Sequence, residues 1–234
     1  MTHWFFDPDF TGNSTTLGAG ELRHLASLRI RPGETIAVTN GQGSVFECTM
    51  QDAKTGKVEI ESANQHTASK LKFHLFQALA KGDRDELALQ TSVELGISSV
   101  TPLQAENSIV NWDNKAEKGM SRWEQIAISA MKQSQQAWLP KVHPVVQARF
   151  ARPLGYGILL LPEAELEITA IPREETVFSV AVGPEGGFSD PEVADLIATG
   201  FTPHRLGPSV LRTSSAGPAA IAALNAVLGG WSIA

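Results

Sequence analysis

Two glycine-rich turns carry the residues best suited to chemistry. The first is Gly183-Pro184-Glu185-Gly186-Gly187-Phe188-Ser189; the second is Leu206-Gly207-Pro208, which runs on into Leu211-Arg212-Thr213-Ser214-Ser215-Ala216. Each stands between a strand-like run and a helix-like run. A turn in that position exposes main-chain N–H and C=O groups that can grip a flat polar ligand, and in open α/β sheets the ligand crevice lies off the carboxyl ends of the strands. Neither turn has the Lys-Ser/Thr of a phosphate loop or the spacing of a dinucleotide fingerprint. Two readings stand, a ligand-binding turn and a bare strand-to-helix connection. Glu185 weighs towards the ligand, because a carboxylate between Pro184 and Gly186 has no core to serve. Its charge would repel a phosphate and favour a cationic or hydroxyl-bearing ligand.

In the second turn, Thr213, Ser214 and Ser215 are helix-capping types. Arg212 just before a helix N-terminus opposes the helix dipole, so either a salt bridge or a ligand contact must hold it. Lys81 and Arg84, in Lys81-Gly82-Asp83-Arg84, form either a solvated turn or a phosphate contact, and Arg23, His24, Arg29 and Arg31 form a basic cluster that could meet RNA. The six histidines and single cysteine show no metal-ligand spacing. Ser209 is not in a nucleophile elbow.

The elements that must position these residues fall into two parts. Residues 1–70 read as a small β-barrel domain: Thr35–Thr39 and Ser44–Met50 alternate around an Asn40-Gly41 hairpin turn, Val58–Glu61 forms a third strand, and Glu21–Ile30 a short helix. Residues 71–234 read as an α/β domain with a parallel sheet. Its helices are expected at Asp83–Leu95, Trp123–Trp138, about 190–198 and Ala216–Leu228. Ile158–Leu161 and Val177–Val182 are near-continuous apolar runs suited to central parallel strands, and Ile97–Leu103 is a strand ending at a proline. Ser189 and Glu192 have capping-box spacing.

A composition of 42% hydrophobic and 19% charged residues suits an ordinary folded protein. The net charge of −6 argues against indiscriminate nucleic-acid binding. Without a signal peptide or a membrane-length apolar run, the expected location is the cytoplasm. Cys48 sits in a strand-like run and reads as a buried thiol.

The stretch Val182–Ser189, the later Leu206-Gly207 and the run Leu211-Arg212-Thr213 together resemble the C-terminal signature of the ribosomal RNA small subunit methyltransferase E (RsmE) family, of the SPOUT superfamily. The similarity extends over nearly the whole chain, through Val93-Glu94-Leu95-Gly96-Ile97, Gln133-Ser134, Leu139-Pro140 and Arg29 with Pro32-Gly33-Glu34. The resemblance implies an N-terminal PUA-like RNA-binding barrel, a C-terminal domain threaded into a trefoil knot, a homodimer, and no metal. It implies S-adenosyl-L-methionine as donor and methylation of N3 of uridine 1498 (m3U1498) in 16S rRNA of the 30S subunit.

Carried onto this chain, it places the donor against Leu160, Leu161, Pro162, Gly183, Pro184, Glu185, Gly186, Gly187, Leu206, Gly207, Leu211, Thr213, Ser214 and Ala216. Arg212 and Glu185 are the candidate catalytic pair, and Arg23, His24, Arg29, Arg31, Lys81 and Arg84 the candidate RNA contacts, read from their own chemistry. Four positions depart from the family's habit. Ser214-Ser215 replaces Glu-Thr after Leu-Arg-Thr, and Asn107 and Gln136 stand where arginine is usual. A non-catalytic RNA-binding relative, or a methyltransferase with another RNA target, remains the alternative at this point.

Overall fold

The computed structural model describes residues 2–231. The chain divides into two compact units: residues 1–68 with 128–139, and residues 69–127 with 140–234.

The first unit is a four-stranded sheet in the order β1-β2-β3-β4, with β1 at His3–Phe6, β2 at Thr35–Thr39, β3 at Ser44–Asp52 and β4 at Lys57–Gln65. β2–β3 and β3–β4 are antiparallel hairpins, as the turn residues dictate. β1, which alternation alone did not mark, pairs parallel with β2 across the intervening helix α1 (Ala19–Leu28). The barrel expected from the short strands is, among the described residues, a sheet with β1 and β4 at its ends. The core is Phe5, Phe10, Leu25, Ile36, Phe46 and Met50, with Cys48 fully enclosed. Burial first, and then the nearby Glu61 charge, pushes the Cys48 thiol up to about 12, so it remains an inert thiol.

Residues 128–139 belong to this unit although a linear division at residue 70 leaves them out. The Ala137 carbonyl accepts from the Gly43 N–H at 2.9 Å, and the Leu139 N–H donates to Gly41 at 2.9 Å. Pairings of such sequence separation leave no local signal.

The second unit holds a parallel sheet with the central order β11-β9-β10-β5-β6, from β5 (Lys72–Ala78), β6 (Ser99–Gln104), β9 (Tyr156–Leu160), β10 (Val177–Val182) and β11 (Phe201–His204). Two short strands, β7 (Lys141–Val142) and β8 (Val146–Gln147), extend it along β6. Pro102 lies inside β6 rather than ending it, where the outer pairing passes from β7 to β8. The near-continuous apolar strands β9 and β10 are interior, as burial on both faces requires. Helix α4 (Asp190–Ala198) covers the face of Phe76, Leu159 and Ala181 through Leu196. Helix α5 (Thr213–Leu228) packs on the other face, with Gly217 against Leu75 and Val182, and α2 (Arg84–Glu94) packs on α5.

Helix α3 runs Ala116–Gln133, earlier at both ends than the Trp123–Trp138 expected from periodicity. It ends because Gln135 adopts a left-handed φ of 57°. Among the described residues no helix is long and apolar enough to cross a membrane.

Candidate functional site

The carboxyl ends of β9, β10 and β11 and the start of α5 enclose a cavity of about 680 Å3, within the range of small-molecule and cofactor sites. Three segments wall it. Leu160, Leu161 and Pro162 follow β9; Gly183, Pro184, Glu185, Gly186 and Gly187 follow β10; Leu206, Gly207, Leu211, Arg212, Thr213 and Ala216 surround the entry to α5. Both glycine turns, read separately from sequence, thus face one space. Of the residues named from sequence against the donor, Ser214 alone does not line it. Val182, Glu163, Phe188, Asp190, Val193, His204, Ser209, Val210 and Arg84 complete the wall.

The first turn is shaped by several braces. Gly187 takes a left-handed φ of 70°, which an L side chain resists. Ser189 and Glu192 form the anticipated capping box at α4. Glu192 does more, because its Oε1 also accepts the Glu106 N–H at 2.8 Å. From the same β6–α3 loop, Asn107 Nδ2 donates to the Gly186 carbonyl at 3.3 Å and the Gly187 carbonyl at 3.1 Å. Asn107, a departure by sequence, therefore props the turn as a neutral amide.

Glu185 has a partner that the sequence did not suggest. Its Oε1 accepts from Arg84 Nη1 at 2.8 Å and from the Lys81 N–H at 3.2 Å. Partial burial acts to raise this carboxyl. Hydrogen bonds from its own N–H, from Arg84 and from the Lys81 N–H, with the Arg84 charge, outweigh that and hold it below its ordinary value. Glu185 therefore stays ionised at neutral pH, and Arg84 is half-buried in this pair rather than solvated.

The second turn departs from the capping expectation. Arg212 is itself the N-cap of α5, its carbonyl accepting the Ser215 and Ala216 N–H groups, and no side chain caps the helix. Thr213 is buried, and its hydroxyl donates to the Gly183 carbonyl at 2.8 Å, tying the two turns together. The Arg212 side chain is exposed and lines the cavity, with no carboxylate or hydrogen-bond partner among the described residues. Of the two ways to hold Arg212, the salt bridge is absent there.

His204 lines the wall as a structural residue. Its Nδ1 meets the Glu167 carbonyl at 2.9 Å and its Nε2 meets the Tyr156 hydroxyl at 3.1 Å. Among the described residues no cluster of His, Cys, Asp or Glu could hold a metal ion.

The basic cluster of the first unit separates into two kinds of residue. Arg23, Arg29 and Arg31 are exposed, with no side-chain partner among the described residues; Arg29 is the left-handed C-cap of α1. His24 is engaged internally. Its Nδ1 lies 2.9 Å from Glu21 Oε2 and 3.1 Å from Lys132 Nζ, its ring packs on Phe5, and Lys132 donates to Glu21 Oε1 at 2.8 Å. Lys81 is exposed on its loop.

An RNA methyltransferase domain family matches residues 67–225, and an RNA methyltransferase PUA domain family matches residues 17–61. The chain is 31% identical over 237 residues to Ribosomal RNA small subunit methyltransferase E of Mycobacterium bovis, covering 96% of this chain and 90% of that protein. To the same-named protein of Buchnera aphidicola subsp. Acyrthosiphon pisum it is 28% identical, covering 96% and 93%. Among solved structures, Ribosomal RNA small subunit methyltransferase E from Neisseria gonorrhoeae bound to S-adenosyl methionine superposes with a TM-score of 0.88 at 30% identity, covering 97% of this chain and 98% of that one. A methyltransferase structure from Legionella pneumophila, in complex with the cofactor SAM, gives a TM-score of 0.87 at 31% identity and covers 97% and 98%.

Proposed function

The chain belongs to the ribosomal RNA small subunit methyltransferase E family, and on that premise we propose that it methylates N3 of a uridine in 16S rRNA, uridine 1498, with S-adenosyl-L-methionine as donor. One observation carries the reading. Both glycine turns and the β9 end wall a single cavity, with the unpartnered Arg212 in its lining.

The cavity suits the donor. Leu160, Leu206, Leu211 and Val182 offer apolar surface for an adenine, the turns offer main-chain groups for the polar edges, and the ionised Glu185 suits a cationic group. Bound there, the donor supplies an electrophilic methyl on a positively charged sulfur. The new bond is N3–CH3, the bond broken is S–CH3, and the N3 proton leaves to a base or to water. The residues of the chain do the rest. Their main task is alignment, which supplies much of the rate of a two-substrate displacement.

Arg212 stabilises the negative charge that spreads onto the uracil oxygens as the N3 proton departs. Glu185 is a poor proton acceptor, because its hydrogen bonds hold it well ionised. Its role is to keep a fixed negative charge beside the donor and to anchor the turn to Arg84 and Lys81.

The remaining family traits follow as parts of the same reading. The first unit, residues 1–68 with 128–139, acts as the PUA-like RNA-binding domain, with Arg23, Arg29 and Arg31 contacting phosphates, and the second unit as the SPOUT methyltransferase domain. Its loops thread as a trefoil knot. The protein works without metal as a homodimer on the 30S subunit in the cytoplasm.

The test is nucleoside mass spectrometry of 30S subunits and of free 16S rRNA lacking the modification, incubated with protein and S-adenosyl-L-methionine. N3-methyluridine at position 1498 is the expected product. Donor binding without any methylated nucleoside would overturn the enzymatic reading, and a different methylated nucleoside would overturn the assigned target.

A further inference from the structure

Gln77 stands near the end of β5, next to the cavity but not in its lining. The side chain is fully buried. Its amide nitrogen donates to the Ala78 carbonyl at 3.2 Å and to the Thr213 hydroxyl at 3.0 Å. The Thr213 hydroxyl donates in turn to the Gly183 carbonyl at 2.8 Å. A hydroxyl has one proton. With that proton committed to Gly183, Thr213 can meet Gln77 only as an acceptor, so the nitrogen of the amide must face it. The Ala78 carbonyl demands the same orientation. The direction of the chain is therefore fixed, from Gln77 through Thr213 to Gly183.

The other half of the amide shows what this orientation costs. Gln77 Oε1 is buried and has no hydrogen-bond partner among the described residues. A buried acceptor left unpaired disfavours the fold, and an apolar residue of the same size at the end of β5 would avoid the penalty. What glutamine adds there is the donor to Thr213.

We propose that Gln77 is a positioning residue whose amide sets the Thr213 hydroxyl, and that this relay locks the two glycine turns to each other and so fixes the shape of the cavity. The consequence for affinity rests on reading that cavity as the donor site. The relay joins the end of β5, the turn after β10 and the first residue of α5, which lie far apart in sequence. Either turn alone has no other side-chain tie to its counterpart among the described hydrogen bonds.

Three substitutions in the full-length protein test this. T213V removes the hydroxyl at nearly constant volume, T213S keeps it, and Q77M removes the amide at similar length. Amide hydrogen exchange without donor is followed at residues 183–188 and 209–216, alongside calorimetry with S-adenosyl-L-methionine. T213V and Q77M are each expected to speed exchange in both segments together and to weaken donor binding about tenfold, the effect of losing one buried hydrogen bond. T213S should restore both readouts, and the double variant should be no worse than either single one. Faster exchange in one turn only, failure of T213S to rescue, or additive losses would overturn the relay. Should Q77M not fold, Q77L takes its place, because the Val and Ser variants at position 213 do not remove the Gln77 amide. A wild-type protein that binds no donor would sink the donor reading, while the coupled exchange of the two turns would still decide the relay.

Discussion

The cavity of the second unit is walled by two glycine turns and apolar side chains, whereas the α1 face of the first unit presents charged side chains. Around the cavity, Gly183, Gly186, Gly187 and Gly207 carry no side chain, and the polar residues near them are spent on holding the turns in place. Asn107 props two carbonyls, Thr213 ties turn to turn, and Glu185 is braced by Arg84. On the first unit, Arg23, Arg29 and Arg31 extend into solvent, and His24 is drawn into a pair with Glu21 beside Lys132. A site that reads shape needs rigidity, so most of its side chains brace the main chain. A surface that meets a polyanion needs charge, and charge works with little order. Arg212 is the exception that joins the two styles, a cation in the cavity lining with no partner among the described residues.

The largest expected effect tests that exception. Arg212→Ala should lower the methyl-transfer rate about 10²- to 10³-fold, the usual loss when a charge-stabilising donor is removed, with donor affinity by calorimetry little changed. An equal loss of donor affinity would make Arg212 one more brace and erase the distinction.

Acid probes the rigidity of the second unit. His74 on β5 is buried against Ser99 and Thr101 with His143 nearby, and burial first, then the His143 charge, pushes it down from 6.5 to about 4. The unfolded chain therefore takes up the proton first as pH falls. Stability is lost between about pH 6.5 and 4, by on the order of 3 kcal/mol. Urea unfolding across that range should show the loss, and His74→Gln should flatten it.

Glu185→Gln keeps an acceptor for the Lys81 N–H and removes the charge. Donor affinity should fall about tenfold, while melting shifts little, because the pair with Arg84 is partly exposed. Because the carboxyl sits below its ordinary value, wild-type donor affinity should hold from neutral pH down to the usual carboxylate range.

The smallest effects belong to the first unit. Neutralising Arg23, Arg29 or Arg31 singly should weaken RNA binding about threefold at moderate salt and remove roughly one counterion from the salt slope. Filter binding across a salt series would show it, with calorimetric donor affinity unchanged. A loss confined to one RNA sequence would mean that these residues read bases, contrary to the comparison.

What could be read in the sequence follows the same division. The Asn40-Gly41 hairpin, the apolar strands β9 and β10 and the Ser189–Glu192 capping box were legible because each signal is local. So were the two glycine turns as candidate binding surfaces. The braces were not. Arg84 meets Glu185 across 101 residues and Gln77 meets Thr213 across 136, distances at which no periodicity connects partners. α3 begins at Ala116, before the expected Trp123, and Gly119 lies under the Trp112 ring, where a Cβ would come within 2.5 Å of the indole, a contact that no local pattern announces. Thr213 read as a cap by residue type, and only the fold shows its hydroxyl turned to Gly183.

The dependence of the first unit on residues 128–139 has a consequence for how the chain is made. A nascent chain that has emerged only to residue 70 lacks the Ala137 carbonyl that receives the Gly43 N–H, and lacks Lys132 for the Glu21 carboxylate. The amino-terminal unit is therefore not finished first during synthesis, although it is translated first. It waits until residues 69–127 of the second unit have left the exit tunnel. A gene fragment cut at residue 70 would encode an incomplete body in which Glu21 keeps only His24 as a partner among these bonds.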